Sequence, residues 1–123
     1  MEEIDQWVEK LSEEQPWIIV EGNKDRISLQ KLRLENIITL RGKPLFEIVE
    51  KVAKITDECV ILTDLDREGK KIYSVLKAEL QKHGVKIDDR FRKFLFKETD
   101  LRQIEGLFSF CQRQNAKEHG RGQ

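Results

Sequence analysis

Apolar positions along this chain switch repeatedly between helical spacing and short unbroken runs. Ile4, Trp7, Val8 and Leu11 fall at i, i+3, i+4 and i+7, which predicts a helix over residues 2–14 that Pro16 ends. "WIIV" at 17–20 is a continuous apolar run closing on Glu21-Gly22, the pattern of a buried strand. Helical spacing returns over 24–34 with a less clean face. "NIITL" (36–40) then predicts a second strand, and "RGK" (41–43) a basic turn. Leu45, Phe46, Val49, Val52 and Ala53 line one side of a helix over 44–55, and "ECVILT" (58–63) predicts a third strand. Ile72, Val75, Leu76 and Leu80 define the next helix, which Gly84 ends. "IDDRFRKFLF" (87–96) reads as helix rather than strand, because Ile87, Phe91, Phe94 and Leu95 keep helical spacing. Thr99 or Asp100 is expected to cap a last helix over about 100–114, carrying Leu101, Ile104, Leu107, Phe108 and Cys111. The polar segment 115–123 is expected to be a mobile tail.

Strands that alternate with helices and are apolar on both faces predict an α/β fold, a parallel sheet of three to four strands sandwiched by helices. The 123 residues suit one domain, and no repeat or linker divides them. Acids and bases number 23 each, so attraction to phosphate has to come from a local patch or a bound cation. Cys59, Cys111, His83 and His119 share no ligand spacing, which argues against zinc, and Cys59 reads as a buried small hydrophobe. No apolar run approaches the roughly 20 residues of a membrane helix, and the acidic start is unlike a secretory signal. A soluble cytoplasmic protein without membrane contact is the expectation.

Two strand ends carry acids. Glu21 follows the first strand, while Asp64, with Asp66 just beyond, follows the third. In open parallel sheets, ligands bind beyond the carboxyl ends of the strands. A strand order of 2-1-3 makes the first and third strands neighbours about 4.8 Å apart, so Glu21 and Asp64 could share a cation. Magnesium suits such a site, being a hard ion that takes oxygen ligands and keeps several waters. Without a metal, converging carboxylates repel and one of them holds its proton. There is a simpler reading, in which Asp66 only caps the following helix and Glu21-Gly22 is only a turn. Asp57 and Glu58, at the other end of the third strand, read as surface charge.

"IIVEGNKD" followed by "VILTDLDREGKK" resembles the Toprim domain of type IA and type II topoisomerases, bacterial-type primases and small nucleases. The family pattern is Glu-Gly after the first strand and Asp-x-Asp after the third, here Glu21-Gly22 and Asp64-Leu65-Asp66. "TDLDREG" is especially similar to the type IA segment. The resemblance spans about residues 16–97. It implies that Asp64 and Asp66 coordinate one or two Mg²⁺ ions, with Mn²⁺ as a substitute. Glu21 is implied as a further ligand or as general acid/base, so the three are the catalytic candidates. The implied chemistry is phosphoryl transfer or phosphodiester cleavage on RNA or DNA. A topoisomerase needs a tyrosine nucleophile, normally on a separate domain, and a primase needs additional domains; neither is expected to fit in these 123 residues, whose one tyrosine is Tyr73. The chain's size resembles small stand-alone Toprim proteins, including uncharacterised archaeal ones and ribonuclease relatives. The usual fourth strand has no clear counterpart, because "IDDRFRKFLF" stands in its place.

Lys24, Arg41, Lys43 and Arg67 are candidate phosphate contacts, each with a solvated-lysine, basic-turn or salt-bridge reading beside it. Arg90, Arg92 and Lys93 read as a solvated basic face, and Glu68 is not expected as a ligand. A magnesium-dependent nuclease leads. A non-catalytic metal-binding module that docks nucleic acid or a partner is the alternative, and a receiver-like phosphotransfer domain stands third.

Overall fold

The computed structural model describes the backbone of residues 4–121 and the side chains of residues 4–116. Its sheet has four parallel strands in the order β2-β1-β3-β4: β1 Trp17–Val20, β2 Ile37–Thr39, β3 Glu58–Ile61 and β4 Lys86–Ile87. The helices are α1 Ile4–Glu14, α2 Asn23–Lys31, α3 Leu45–Ile55, α4 Arg67–Lys82, α5 Arg90–Glu98 and α6 Leu107–Arg121, with a 3₁₀ turn at Ile104–Gly106 before α6. The 2-1-3 order on which a shared cation depended is the one observed for the first three strands. Residues 2 and 3 of the predicted first helix and residues 122 and 123 of the predicted tail lie outside the described residues.

Alternation along the central strands divides the core. Ile18, Val20, Val60 and Leu62 face one layer, built from α1, α2, α5 and α6 through Ile4, Leu11, Leu29, Phe91, Leu95 and Leu107. Ile19, Cys59 and Ile61 face the other, built from α3 and α4 through Ile48, Val49, Val52, Leu76 and Leu80. Ile18, Ile19 and Val20 are wholly enclosed, which explains the unbroken apolar run. Burying each such side chain contributes about 1.5–3 kcal/mol. The path from β1 out to β2 and back past β1 to β3 reverses direction between β1 and β3. Their carboxyl ends therefore open the crevice in which such sheets bind ligands. Leu62 N–H donates to Ile19 O at 2.8 Å, so the pairing continues to the point where the acids begin.

Four expectations change. A fourth strand exists, but it is the two-residue β4, just before "DDRFRKF", and it pairs Glu58 with Lys86 and Cys59 with Ile87. Ile87 therefore belongs to the sheet, and α5 starts only at Arg90. Thr99 ends α5, its hydroxyl donating to Leu95 O at 2.6 Å, rather than starting the next helix. Residues 99–103 stay irregular because Arg102 O accepts the Leu65 N–H at 2.7 Å, which ties this loop to the end of β3. The last helix thus begins at Leu107, and its backbone continues to Arg121 through most of the segment read as a tail. Finally, Phe46 and Val75 point outward although their spacing put them on apolar faces, because the core side of α3 and α4 is taken by Ile48, Val49, Val52, Leu76 and Leu80.

Candidate metal centre

Glu21 and Asp64 meet where the sheet predicts. The Asp64 N–H donates to Glu21 Oε2 at 2.7 Å, so the end of β1 is laced to the end of β3. Asp64 is held from a second side, since its Oδ1 accepts the Ile104 N–H at 2.9 Å. Asp66 is exposed and is the N-cap of α4, its Oδ1 accepting the Gly69 N–H at 2.8 Å. The capping reading of Asp66 is therefore correct as far as it goes. It uses one oxygen only, and capping is compatible with a second oxygen reaching a ligand.

Gly69 makes the loop between β3 and α4 possible. A Cβ there would lie 2.0 Å from Asp64 O and 2.5 Å from Asp64 C, so the first turn of α4 sits directly on the strand end. Thr63, fully buried, donates its hydroxyl to Gly69 O at 2.7 Å and clamps the same contact. The Arg92 guanidinium, also buried, donates to Thr63 O and, at 3.0 Å, to Asp64 O. Its other side lies 4.5 Å from the Tyr73 ring centroid. Arg92 thus holds the backbone at Thr63 and Asp64, and the expected solvated basic face is correct only for Arg90 and Lys93, which are exposed. The one tyrosine serves as the platform for that arginine.

Asp25 is the acid that sequence reasoning left out. It is buried in the first turn of α2 and accepts the Gly22 N–H at 3.0 Å, reciprocating the turn that carries Glu21. Burial pushes its carboxyl up to about 6, with the Asp64, Glu21 and Glu105 charges adding to the rise. Burial likewise raises Glu21, against the pull of the Asp64 N–H, and the charges of Asp64, Asp66 and Glu68 push the same way. Asp64 is raised by burial, opposed by the Ile104 N–H, with Asp66 and Glu105 reinforcing the rise. A pocket of like charges in a half-buried crevice has this signature. The only cue to Asp25 was its position three residues after Gly22 at a helix start, a capping-box spacing.

Among the described residues no lysine or arginine forms an ion pair with Glu21, Asp25, Asp64 or Asp66. Each of Glu21, Asp64 and Asp66 spends one oxygen on a backbone N–H and keeps the other uncommitted. Hard oxygen donors with spare lone pairs and no ion-paired cation fit a hydrated divalent cation, although the nearby Arg92 charge partly offsets the acids at Asp64. Among the described residues, no three His, Cys, Asp or Glu stand close enough together to enclose an ion by themselves. Waters would have to complete any coordination shell.

The cationic candidates lie around this edge. Arg41 N–H donates to Glu21 O at 3.1 Å, which brings the exposed turn with Arg41 and Lys43 beside the first acid. Arg41 and Gly42 have φ of 28° and 70°, so the turn depends on left-handed backbone that the glycine adopts freely. Lys24 is exposed in the first turn of α2, and Arg67 is exposed as the first residue of α4.

The Toprim domain family model matches residues 17–95, the span holding both strand-end acids and Asp66. The chain belongs to the Toprim domain family. More narrowly, it is 34% identical over 105 residues to a UPF0292 protein of Methanocaldococcus jannaschii, covering 82% of each chain. It is 40% identical over 105 residues to a UPF0292 protein of Pyrococcus horikoshii, covering 83% of this chain and 79% of that one. A solved structure from Aquifex aeolicus superposes with a TM-score of 0.79 at 30% identity, covering 85% of this chain and 98% of that one. Toprim domains generally bind divalent metal, and the family is related to nucleic-acid transactions. Among the described residues no helix is long and apolar enough to cross a membrane.

Proposed function

We propose that this protein is a magnesium-dependent enzyme that cleaves or transfers phosphodiester bonds of nucleic acid, in its simplest form a nuclease. One observation carries the reading: Glu21 and Asp64 are hydrogen-bonded across the ends of β1 and β3, with Asp66 two residues further on at the N-cap of α4 and no cation ion-paired to any of the three among the described residues. A Mg²⁺ ion held here would supply neutralising charge for phosphate oxygens and lower the pKa of an attacking water. Asp64 and Asp66 would hold it, on a loop tied down by Arg92, Thr63 and the close packing of Gly69. Glu21, raised by burial, is suited to a further ligand role or to moving a proton at the scissile phosphate. Arg41, Lys43, Lys24 and Arg67 supply exposed positive charge for the flanking phosphates.

A non-catalytic docking module is the second reading, favoured by the exposed Asp66 already engaged in capping α4. The discriminating experiment pairs calorimetric titration of Mg²⁺ and Mn²⁺ with cleavage assays on structured RNA, single strands and duplex DNA. Asp64→Asn and Glu21→Gln are the controls. Metal-dependent cleavage lost in both variants is expected. Metal binding without cleavage of any substrate favours the docking module, and no metal binding at all overturns both readings.

A further inference from the structure

An open groove of about 780 Å³ lies between α4 and α5 and reaches Leu65, the residue between Asp64 and Asp66. Leu65, Tyr73 and Phe96 give it apolar and aromatic walls, while its charged lining is five cations, Lys70, Lys77, Arg92, Lys93 and Lys97, against the single acid Asp89. Asp89 pairs with Lys77 and Lys93, so Lys70 and Lys97 have no carboxylate partner among the described residues. In a chain of zero net charge this is a strong local excess. Phe96 is 44% exposed, a costly placement for a phenyl ring that contributes little to the core. Lys70 and Arg102 sit over its ring at 4.4 and 5.2 Å from the centroid. Part-exposed aromatic rings interleaved with cations are the combination that binds unpaired nucleotides, an entering base taking the ring face from a flexible lysine that turns to a phosphate. A duplex offers phosphates but no free base face.

We propose that this groove binds an unpaired segment of nucleic acid, with a base stacked on Phe96 and neighbouring phosphates held by Lys70, Lys93 and Lys97, and feeds that strand to the acids across Leu65. It rests on the nucleic-acid reading above and narrows its substrate class to single-stranded or flipped-out nucleotides. Charge complementarity selects the occupant, since a protein partner for this rim would need to be strongly acidic and would not need the exposed ring.

The test is fluorescence anisotropy of labelled oligo(dT), oligo(rU) and a blunt DNA duplex on the full chain in EDTA, where metal chemistry is silent. Phe96→Ala is expected to weaken single-strand binding about 5- to 150-fold, with Phe96→Trp retaining it and Phe96→Leu failing to restore it. Duplex binding should not change in these variants, nor single-strand binding in Phe46→Ala, whose ring is 63% exposed on the opposite layer. Lys97→Glu should flatten the dependence of log affinity on log salt by about 0.7 for each phosphate left without its cation. Single-strand affinity that Phe96→Ala leaves unchanged, a Phe96→Leu variant equal to Phe96→Trp, or no single-strand binding by the wild type overturns the groove. If cleavage is absent in magnesium while the Phe96 dependence holds in EDTA, the groove stands and the enzymatic reading falls. If cleavage persists at the wild-type rate in Phe96→Ala, the reverse holds.

Discussion

Gly69→Ala separates what local propensity predicts from what the site requires. Alanine is about 1 kcal/mol better than glycine inside a helix, so on propensity alone the change at the third residue of α4 should stabilise. The structure predicts the opposite sign. The new methyl would sit 2.0 Å from Asp64 O and 2.8 Å from Asp64 N, and these are backbone atoms that no side-chain rotation can clear. Relief requires moving the first turn of α4 away from the strand end. That stretches the Gly69 N–H to Asp66 Oδ1 bond of 2.8 Å and the Thr63 Oγ1 to Gly69 O bond of 2.7 Å. Overpacking costs about 1–3 kcal/mol, removal of a cap about 1 and a buried hydroxyl left unpaired about 1–3. With partial relaxation, a net destabilisation of about 3–5 kcal/mol is expected from these ranges. Urea unfolding followed by far-ultraviolet circular dichroism measures it, and Mg²⁺ titration of the folded variant should show at least tenfold weaker binding. A Gly69→Ala protein as stable as the wild type would refute the inference that the α4 turn is seated on Asp64.

Three other outcomes follow from the same geometry. Arg92→Lys keeps the charge but cannot fork onto the Thr63 and Asp64 carbonyls, so it should cost about 1.5–3 kcal/mol in urea unfolding and lower metal affinity although Arg92 touches no carboxylate oxygen. Without metal, the raised Asp25 contributes stability that is fully present below the usual carboxylate pKa and is lost as pH rises through about 6. The melting temperature in EDTA should therefore be higher at pH 5 than at pH 7.5, and Asp25→Asn, neutral throughout, should reduce that slope. Saturating Mg²⁺ at about 100 times its dissociation constant should stabilise the wild type by about 2.7 kcal/mol at pH 7.5, and Asp64→Asn should abolish the shift, read by thermal denaturation with and without the ion.

Much of the sheet was legible because its cues are local. "WIIV" and "ECVILT" are apolar on both faces, which only a strand covered on both sides requires, and the helices between them kept their spacing. β4 escaped because two residues carry no period, and Ile87 fitted the helical count of the residues after it. Arg92 was misjudged for a related reason. A cation between Phe91 and Lys93 in a basic run is solvated in most chains, and its burial here depends on acceptors 28 and 29 residues away. The irregular 99–103 segment likewise answers to Leu65, not to its own neighbours.

By itself, then, the sequence determined the alternation of strands and helices, and placed Glu21, Asp64 and Asp66 at strand ends, since residue period and strand termination are properties of short segments. Only the tertiary structure decided that Asp64 N–H would bind Glu21 across 43 residues and that Ile104 would hold Asp64 from 40 residues away. It alone brought Asp25 into the same field of charge and opened a cationic aromatic groove between α4 and α5. Those are contacts between segments. Their energies come from burial and from partners that no single segment contains, so they exist only once the sheet has brought the strand ends together.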